Sequence, residues 1–382
     1  MTGHPTTPDR RLFLRTSTAA GIGVLLGSTR FLSAADQRIV MGFVYSGPKN
    51  DLGYNQAHWQ GKQTLASLPY VRAIDEANID ETNDVEESMR NMIHMDGAKV
   101  IFGTSYGYLD PYMLRLAREC PDVQFFHCGG SYREGVDPPN LGVYFGFIDE
   151  VEYLAGMAAG SMTKSGLLGF VAAKPIPQVL RNINSYMLGA RSVHPTVAMK
   201  VVFTGDWVLP VREAEAASSL ADQGADVLTG HTGSPRVIVQ VAERRGIWAT
   251  GYQFDQSLVA PHRFLTGAEW SWGVVYRQYA EMIHAGRSVT AGTIPRRMTG
   301  MLKDGFCRLS NFGPAVPFDV RASILDAQQQ LIHGTRAIYQ GPLRDNKGRV
   351  VVPAGKTISI SDTALDRMNW LLEGIDGEVG SL

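Results

Sequence analysis

The chain has 382 residues and a formal net charge of −1, with 44% hydrophobic and 19% charged residues. This length exceeds one ordinary domain and supplies enough apolar residues for a large core. The near-neutral charge argues against nucleic-acid binding, which requires a basic surplus or a basic stripe. The longest apolar run is about nine residues, shorter than the roughly 20 residues that span a bilayer. These values predict a globular α/β protein that handles a small ligand.

The first 35 residues have the layout of an export signal. Arg10 and Arg11 precede Leu-Phe-Leu, an apolar stretch covers residues 19–27, and small residues occupy positions 33–35. A basic region, an apolar region and a small-residue cleavage site in this order are typical of secreted proteins, and the arginine pair indicates twin-arginine export. A disordered basic tail is the alternative. Without residues 1–35 the chain loses four arginines and one aspartate, so its charge changes from −1 to −4. No cysteine follows the apolar stretch, and we therefore expect a periplasmic protein without a lipid anchor.

After this segment, apolar runs of strand length alternate with stretches of helical period. The predicted strands are Ile39–Tyr45, Val71–Ile74, Val100–Phe102, Val123–His127 and Leu141–Phe145, followed by Leu168–Ala172, Lys200–Phe203, Ala225–Leu228, Ile247–Gly251 and Phe264–Ala268. Repeated strand–helix units predict parallel sheets with right-handed crossovers. Two series of similar length predict two lobes. We place residues 36–148 and about 254–295 in lobe 1, and residues 149–253 and about 296–382 in lobe 2, with a last helix at Thr363–Leu372.

Ligands of parallel sheets bind beyond the carboxyl ends of the strands, so the site should lie in the cleft between the lobes. Aromatic residues are frequent in the segments that follow the predicted strands, and they suit a planar heteroaromatic ligand. Isolated polar residues there could bind its edge by hydrogen bonds. The candidate ligand-binding residues are Tyr54, Tyr106, Tyr108, Asn184, Trp207, His231, Asp255 and Trp270. For Asn184, a solvent-facing amide is the alternative.

A second function class is suggested by residues 103–107, which match the G-x-S-x-G nucleophile elbow of α/β hydrolases. In such an elbow the helix begins at the serine, whereas here Asp110 and Pro111 predict a helix start about five residues later. Ser105 is therefore the weaker hypothesis, and we expect no catalytic residue.

The sequence contains no metal-ligand spacing and no Walker loop, because the nine histidines are scattered. We expect no metal and no cofactor. The three cysteines, Cys120, Cys128 and Cys307, are predicted to be buried unpaired thiols.

The chain resembles the basic-membrane-protein family of periplasmic substrate-binding proteins for ABC importers. The stretches that carry the resemblance are Asn50–Gln56, Tyr153–Gly160, Leu220–Val227, Asp255–Ser257, Asp345–Gly348 and Met368–Gly374. This resemblance implies a type I periplasmic-binding-protein fold, in which two Rossmann-like lobes with parallel sheets are joined by a multi-crossover hinge. It also implies a monomer that binds a purine nucleoside and delivers it to an ABC permease.

Two positions depart from the nucleoside-binding members of that family. Those members usually carry Asp where this chain has Gln253 and Lys where it has Trp270. The segments 104–111, 183–190 and 269–273 resemble instead a subgroup associated with free purine bases such as adenine. We therefore expect a receptor for a purine base, with a purine nucleoside as the alternative ligand. A receptor that presents its ligand to a sensor has the same sequence features.

Overall fold

The computed structural model describes residues 38–233 and 235–379, so the predicted export signal lies outside the described residues. The strands are β1 (Ile39–Val44), β2 (Val71–Glu76), β3 (Val100–Gly103), β4 (Gln124–Cys128), β5 (Leu141–Gly146), β6 (Leu167–Ala172), β7 (Ala198–Phe203), β8 (Val227–His231), β9 (Trp248–Gln253), β10 (Phe264–Trp270), β11 (Arg297–Gly300), β12 (Cys307–Leu309), β13 (Tyr339–Gln340), β14 (Leu343–Arg344), β15 (Val350–Val352), β16 (Thr357–Ile358) and β17 (Ile375–Asp376). The α-helices are α1 (Tyr54–Gln63), α2 (Asn83–His94), α3 (Leu114–Glu119), α4 (Asp149–Met162), α5 (Pro177–Val193), α6 (Pro210–Asp222), α7 (Arg236–Arg245), α8 (Trp272–His284) and α9 (Phe318–Ile332).

The first sheet has six parallel strands in the order β11-β5-β4-β3-β1-β2. All four residues of β3 are buried, because strands covered on both faces carry continuous apolar runs. Helices α2 and α3 cover one face through Met89 and Leu116. Helix α8 covers the other face, where the ring of Tyr276 meets the rings of Phe43 and Phe102 edge-on.

The second sheet has the order β12-β10-β9-β8-β6-β7-β17, and every pairing is parallel except that of β12 with β10. Helices α6 and α7 cover one face through Leu220 and Val239. Helix α4 packs on α5, β10 and α9 on the other side of the sheet. The predicted α/β class with two parallel sheets is confirmed.

The chain passes between the two sheets three times: between β5 and α4, between β10 and α8, and between β11 and β12. We call residues 38–146 and 272–300 the first lobe, and residues 149–270 and 307–379 the second lobe. The predicted division was wrong at β10 and β11, because β10 pairs with β9 and β11 pairs with β5. Hydrophobic periodicity identifies a strand but does not specify its partner, so these two strands could not be assigned from the sequence.

The predicted last helix at Thr363–Leu372 was also wrong. The structure has a single 3-10 turn at Leu365–Arg367, and β17 then adds to the edge of the second sheet beside β7. Asn184 holds this segment, because its Nδ2 donates to the carbonyl oxygen of Trp370 at 2.9 Å and its Oδ1 accepts from the amide of Leu372 at 2.9 Å. Side-chain bonds to the backbone compete with helix formation. In the part of the chain that is described, no helix has the length and apolarity to cross a bilayer.

Helices α4 and α5 cross at two glycines. A Cβ added to Gly156 would collide with the carbonyl oxygen of Tyr186, and a Cβ on Gly189 would collide with the carbonyl oxygen of Tyr153. The two contacts are reciprocal, so each helix supplies the glycine that admits the backbone of the other. This close approach fixes α5, which carries residues of the site on its first half.

We predict that Gly189→Ala destabilises the protein by about 1–3 kcal/mol, because the added methyl group forces the two helices apart. Helix propensity alone would favour alanine by roughly 1 kcal/mol. A loss of stability in this variant would therefore be due to the collision between the helices. Urea denaturation measures the change, with Glu215→Ala on the exposed side of α6 as the control. An unchanged or increased stability for Gly189→Ala would contradict the packing described above.

Candidate functional site

The candidate site is a cleft of about 1020 Å³ between the carboxyl ends of the two sheets. The loops after β1, β3, β4 and β5 face the loops and strand ends of the second lobe. Side chains that line the cleft include Ser46, Asp51, Tyr54, Asn55, Ser105, Tyr106, Cys128 and Phe145 from the first lobe, and Trp207, Glu213, His231, Arg236, Tyr252, Gln253 and Trp270 from the second. The site therefore lies where the strand-end rule for open parallel sheets places it.

Five of the eight predicted site residues line this cleft: Tyr54, Tyr106, Trp207, His231 and Trp270. The other three do not. Tyr108 is fully buried beneath the cleft loop, and its hydroxyl donates to the carbonyl oxygen of Ile79. Asp255 accepts from the amide of Ser257 in a local turn. These polar groups are used within the protein and are not presented to a ligand.

Asn184 is the third residue outside the cleft, since its amide binds the C-terminal segment. The residue two positions earlier, Asn182, contacts His231 and Tyr252 instead. Residues i and i+2 of a helix point to different sides. Asn182, and not Asn184, therefore supports the cleft residues, and helical periodicity on α5 could have distinguished the two.

A row of stacked rings forms one wall of the cleft. Trp270 stacks on Trp272 with ring centroids 4.7 Å apart, and Trp272 stacks on His58 at 4.7 Å. Tyr54 meets His58 edge-on at 4.5 Å, and Phe145 lies 5.5 Å from Trp270. Trp270 is the last residue of β10, and Trp272 is the fully buried first residue of α8. The row holds Trp270 and Tyr54 in fixed orientations.

The indole Nε1 of Trp270 is buried and has no hydrogen-bond partner among the described residues. Trp270 itself is only 5% exposed. A buried donor without an acceptor costs about 1–3 kcal/mol. A ligand that accepts a hydrogen bond from this N–H would remove that cost.

A second wall of the cleft contains Trp207, with the ammonium group of Lys174 5.8 Å from its ring centre and the ring of His231 at 6.1 Å. Lys174 is also paired with Asp206 at 2.9 Å. The wall is therefore an aromatic face whose neighbouring charges are already paired with each other.

Buried hydrogen bonds connect Asn182, His231 and Tyr252 at the base of this wall. The Nδ2 of Asn182 lies 3.0 Å from His231 Nδ1 and 3.2 Å from the Tyr252 hydroxyl, which is 3.2 Å from His231 Nε2. Burial lowers the pKa of His231 to about 3 and raises the pKa of Tyr252 well above its ordinary value. Both rings are neutral near pH 7, so this part of the cleft suits an uncharged ligand.

Gln253 closes the end of β9 with a backbone φ of +75°, a conformation that is costly for residues other than glycine. Its Nε2 donates to the carbonyl oxygens of Thr232 and Gly233. The amide is thereby held in one orientation at the cleft surface. Tyr252 and Gln253 were not among the predicted site residues, although both directly follow the predicted end of this strand at Gly251.

Among the described residues, two hydrogen bonds join the lobes across the cleft. The amide of Tyr54 donates to the carbonyl oxygen of Gly233 at 3.1 Å, and Gln256 Nε2 donates to the carbonyl oxygen of Leu52 at 2.7 Å. Both bonds join a first-lobe residue to a second-lobe residue. Any opening of the cleft must break them.

The charged groups at the cleft surface are mainly acidic. They are the carboxyl groups of Asp51, Asp80, Glu81, Asp206 and Glu213, with the guanidinium of Arg236. Burial raises the pKa of both Asp51 and Glu213. A field of this sign disfavours an anionic ligand.

The alternative hydrolase site does not form. The Ser105 hydroxyl donates to Glu81 Oε1, and His127 Nε2 contacts the backbone carbonyl oxygen of Ser105 at 2.8 Å, not its hydroxyl. The serine of an α/β hydrolase requires a histidine base on its hydroxyl group, and His127 does not occupy that position. Within the described ranges, no group of His, Cys, Asp and Glu side chains is placed to hold a metal ion.

Residues 38–333 match the family model described as "ABC transporter substrate-binding protein PnrA-like" (Bmp). The chain belongs to this family. The Bmp assignment agrees with the cleft between two lobes, and it makes the protein a substrate-binding protein of an ABC transporter and not an enzyme. The resemblance stated from the sequence is confirmed.

Two curated relatives cover most of this Bmp protein. A purine-binding protein of Brucella abortus is 32% identical over 94% of this chain and 97% of its own length. A protein of Haloferax volcanii, named as a candidate ABC transporter glucose-binding protein, is 31% identical over 89% of this chain and 81% of its own length.

Solved structures share the fold of the Bmp protein. A solute-binding protein from Conexibacter woesei superposes with a TM-score of 0.63 at 23% identity, covering 78% of this chain and 97% of its own. A transcriptional activator from Bacillus halodurans has a TM-score of 0.66 at 21% identity, covering 78% and 99%. The same fold thus occurs in proteins described as a transporter component and as an activator.

We predict that Asn184→Ala exposes the C-terminal segment, because two buried backbone groups lose their partner at roughly 1–3 kcal/mol each. Hydrogen–deuterium exchange at residues 368–373 should accelerate, and urea denaturation should show the loss in stability. Ser192→Ala, on the exposed end of the same helix, should leave exchange in this segment unchanged. Unaltered protection in Asn184→Ala would show that the amide does not hold the segment.

Burial of His127 makes the stability of the protein depend on pH. Burial lowers the pKa of His127 to about 4, against about 6.5 in an unfolded chain. Below pH 6.5 the unfolded chain therefore binds a proton that the folded chain does not. The free energy of unfolding therefore decreases as the pH is lowered from about 6.5 to about 4. We predict that the stability difference between wild type and His127→Gln decreases by about 2 kcal/mol from pH 7 to pH 5.

Denaturation of both proteins at each pH measures this difference. The comparison is needed because burial raises the pKa of Glu150 to about 7, and such a carboxyl group stabilises the fold as pH falls. A difference that is constant from pH 7 to pH 5 would show that His127 is not held neutral.

Proposed function

We propose that this protein binds a purine base, adenine or a close analogue, in the interlobe cleft and delivers it to the ABC permease. The observation that carries the proposal is the aromatic lining of the cleft. Trp270, Tyr54 and Trp207 all line it, and Tyr106 is exposed among the lining residues. Aromatic faces bind flat heteroaromatic rings well because stacking adds to the burial of apolar surface.

The electrostatics of the cleft favour an unphosphorylated ligand. The acidic groups described above would repel a phosphate, and the neutral cluster of Asn182, His231 and Tyr252 offers a hydrogen bond without charge. A purine base is neutral near pH 7 and carries several ring acceptors. Purine binding by the relative from Brucella abortus supports the same ligand class.

A free base is favoured over a nucleoside by two cleft residues. Gln253 supplies an amide and Trp270 supplies an indole at positions where the resemblance implies an acid and a lysine for nucleoside binding. An aromatic ring at position 270 replaces a polar partner for a sugar. A purine nucleoside remains the alternative ligand, and glucose is included in the test because of the Haloferax volcanii relative.

Binding would close the cleft by rotation of the lobes about the three crossovers, with the Gln256–Leu52 and Tyr54–Gly233 bonds made in the closed form. Export to the periplasm through the signal in residues 1–35 and a monomeric state belong to the same proposal. The ligand would then enter the permease from the outer side of the membrane.

Isothermal titration calorimetry of the ligand-stripped protein with adenine, hypoxanthine, guanine, xanthine, adenosine, inosine and glucose tests the proposal. We predict that adenine binds at least about tenfold tighter than adenosine, since a ribose would meet aromatic surface without polar partners. Trp207→Ala should weaken adenine binding by about tenfold or more, because stacking and burial are both lost.

Trp248→Ala is the matched control. Trp248 lies at the other end of β9, against Arg263, outside the cleft. Tighter binding of nucleosides than of bases would overturn the base assignment, and binding of glucose alone would overturn the purine class.

A further inference from the structure

The Tyr252 hydroxyl has an unusual position among the polar groups of the cleft. Tyr252 is 1% exposed, lines the cleft and lies within hydrogen-bond distance of both Asn182 and His231. Which of these groups donates and which accepts decides what the hydroxyl can offer to a ligand.

The donor directions follow from the chemistry of the three groups. The Asn182 Nδ2 carries two hydrogens and no lone pair, so it donates to His231 Nδ1 and to the Tyr252 oxygen. His231 is neutral and accepts at Nδ1, so its proton is on Nε2. That Nε2–H then donates to the Tyr252 oxygen, which accepts two hydrogen bonds.

The reverse orientation of the Asn182 amide satisfies fewer contacts. With the amide oxygen in place of Nδ2, a neutral His231 would donate from Nδ1, and the one Tyr252 hydrogen could reach either Asn182 or His231 but not both. Two hydrogen bonds would form where the first arrangement forms three. The first arrangement is therefore the stable one.

In this arrangement both lone pairs of the Tyr252 oxygen are occupied, and the hydroxyl hydrogen has no acceptor among the described residues. Burial raises the pKa of the phenol, so the hydrogen stays on the oxygen near pH 7. Trp270, 5% exposed, supplies a second donor in the same cleft, an indole N–H without a described partner. The cleft thus presents two hydrogen-bond donors and requires a ligand with acceptors.

We propose that the Tyr252 hydroxyl donates a hydrogen bond to an in-plane lone pair of the ligand, a ring nitrogen or a carbonyl oxygen, and that Asn182 and His231 are positioning residues that fix it as a donor. This inference rests on the proposed function, because it assigns the group that reads the purine edge. Specificity would arise because a ligand that lacks the acceptor leaves the hydroxyl unpaired.

The test combines a change in the protein with a change in the ligand. Adenine is compared with 1-deaza-, 3-deaza- and 7-deazaadenine, each of which replaces one ring nitrogen by C–H. For wild type, we expect one analogue to bind about 5- to 100-fold more weakly than adenine. Tyr252→Phe should bind adenine more weakly by a similar factor and should no longer discriminate against that analogue.

Asn182→Ala tests the positioning role. With Asn182 absent, the Tyr252 hydroxyl is free to donate to His231, and the discrimination against the same analogue should fall toward that of Tyr252→Phe. A merely structural role would lower stability and leave the discrimination unchanged.

Tyr186→Phe is the matched control, because Tyr186 is a buried tyrosine of the same lobe whose hydroxyl contacts Thr250 Oγ1 at 3.0 Å and lies outside the cleft. It should retain the full discrimination. Full discrimination in Tyr252→Phe, or equal binding of every deaza analogue and adenine by wild type, would overturn the inference while leaving purine binding intact. Failure of wild type to bind any purine would overturn the proposed function and the inference with it.

Discussion

Trp270, Trp272 and His58 stack face to face where the chain passes from the second lobe to the first. The stack joins the end of β10 and the start of α8, which are consecutive elements, to the middle of α1, which is far away in the sequence. Because Trp272 is completely buried, the stack cannot shift without disturbing the core of the first lobe. The hinge and one cleft wall therefore share the same rings, which couples the orientation of Trp270 to the position of the crossover.

In the second lobe, polar side chains are buried next to the cleft. Helix α5 brings Asn182 against the cleft residues His231 and Tyr252 and Asn184 against the C-terminal segment on its other side, and the glycine contacts with α4 fix its depth. Buried polar groups are stable when their hydrogen bonds are satisfied. Most of those on α5 are paired within the protein, and the proposed ligand contact of Tyr252 would give its hydroxyl hydrogen an acceptor as well.

The acidic surface and the neutral interior of the cleft act at different distances. The carboxyl groups at the surface influence which ligands approach, whereas the buried rings and amides determine which ligand fits. A flat, uncharged, acceptor-bearing molecule satisfies both conditions. The same fold in an activator from Bacillus halodurans shows that the architecture alone does not decide the ligand or the partner.

The sequence by itself determined the alternation of strands and helices, the two-sheet class, the family and five aromatic or polar residues of the cleft, because strand ends are visible in hydrophobic patterns and ligands of parallel sheets bind there. It did not determine that β10 joins the second sheet, that residues 363–372 do not form a helix, or that Asn182 rather than Asn184 contacts the cleft residues His231 and Tyr252. These outcomes depend on pairing partners and side-chain direction. Both are set by contacts between residues far apart in the chain, which no local pattern records.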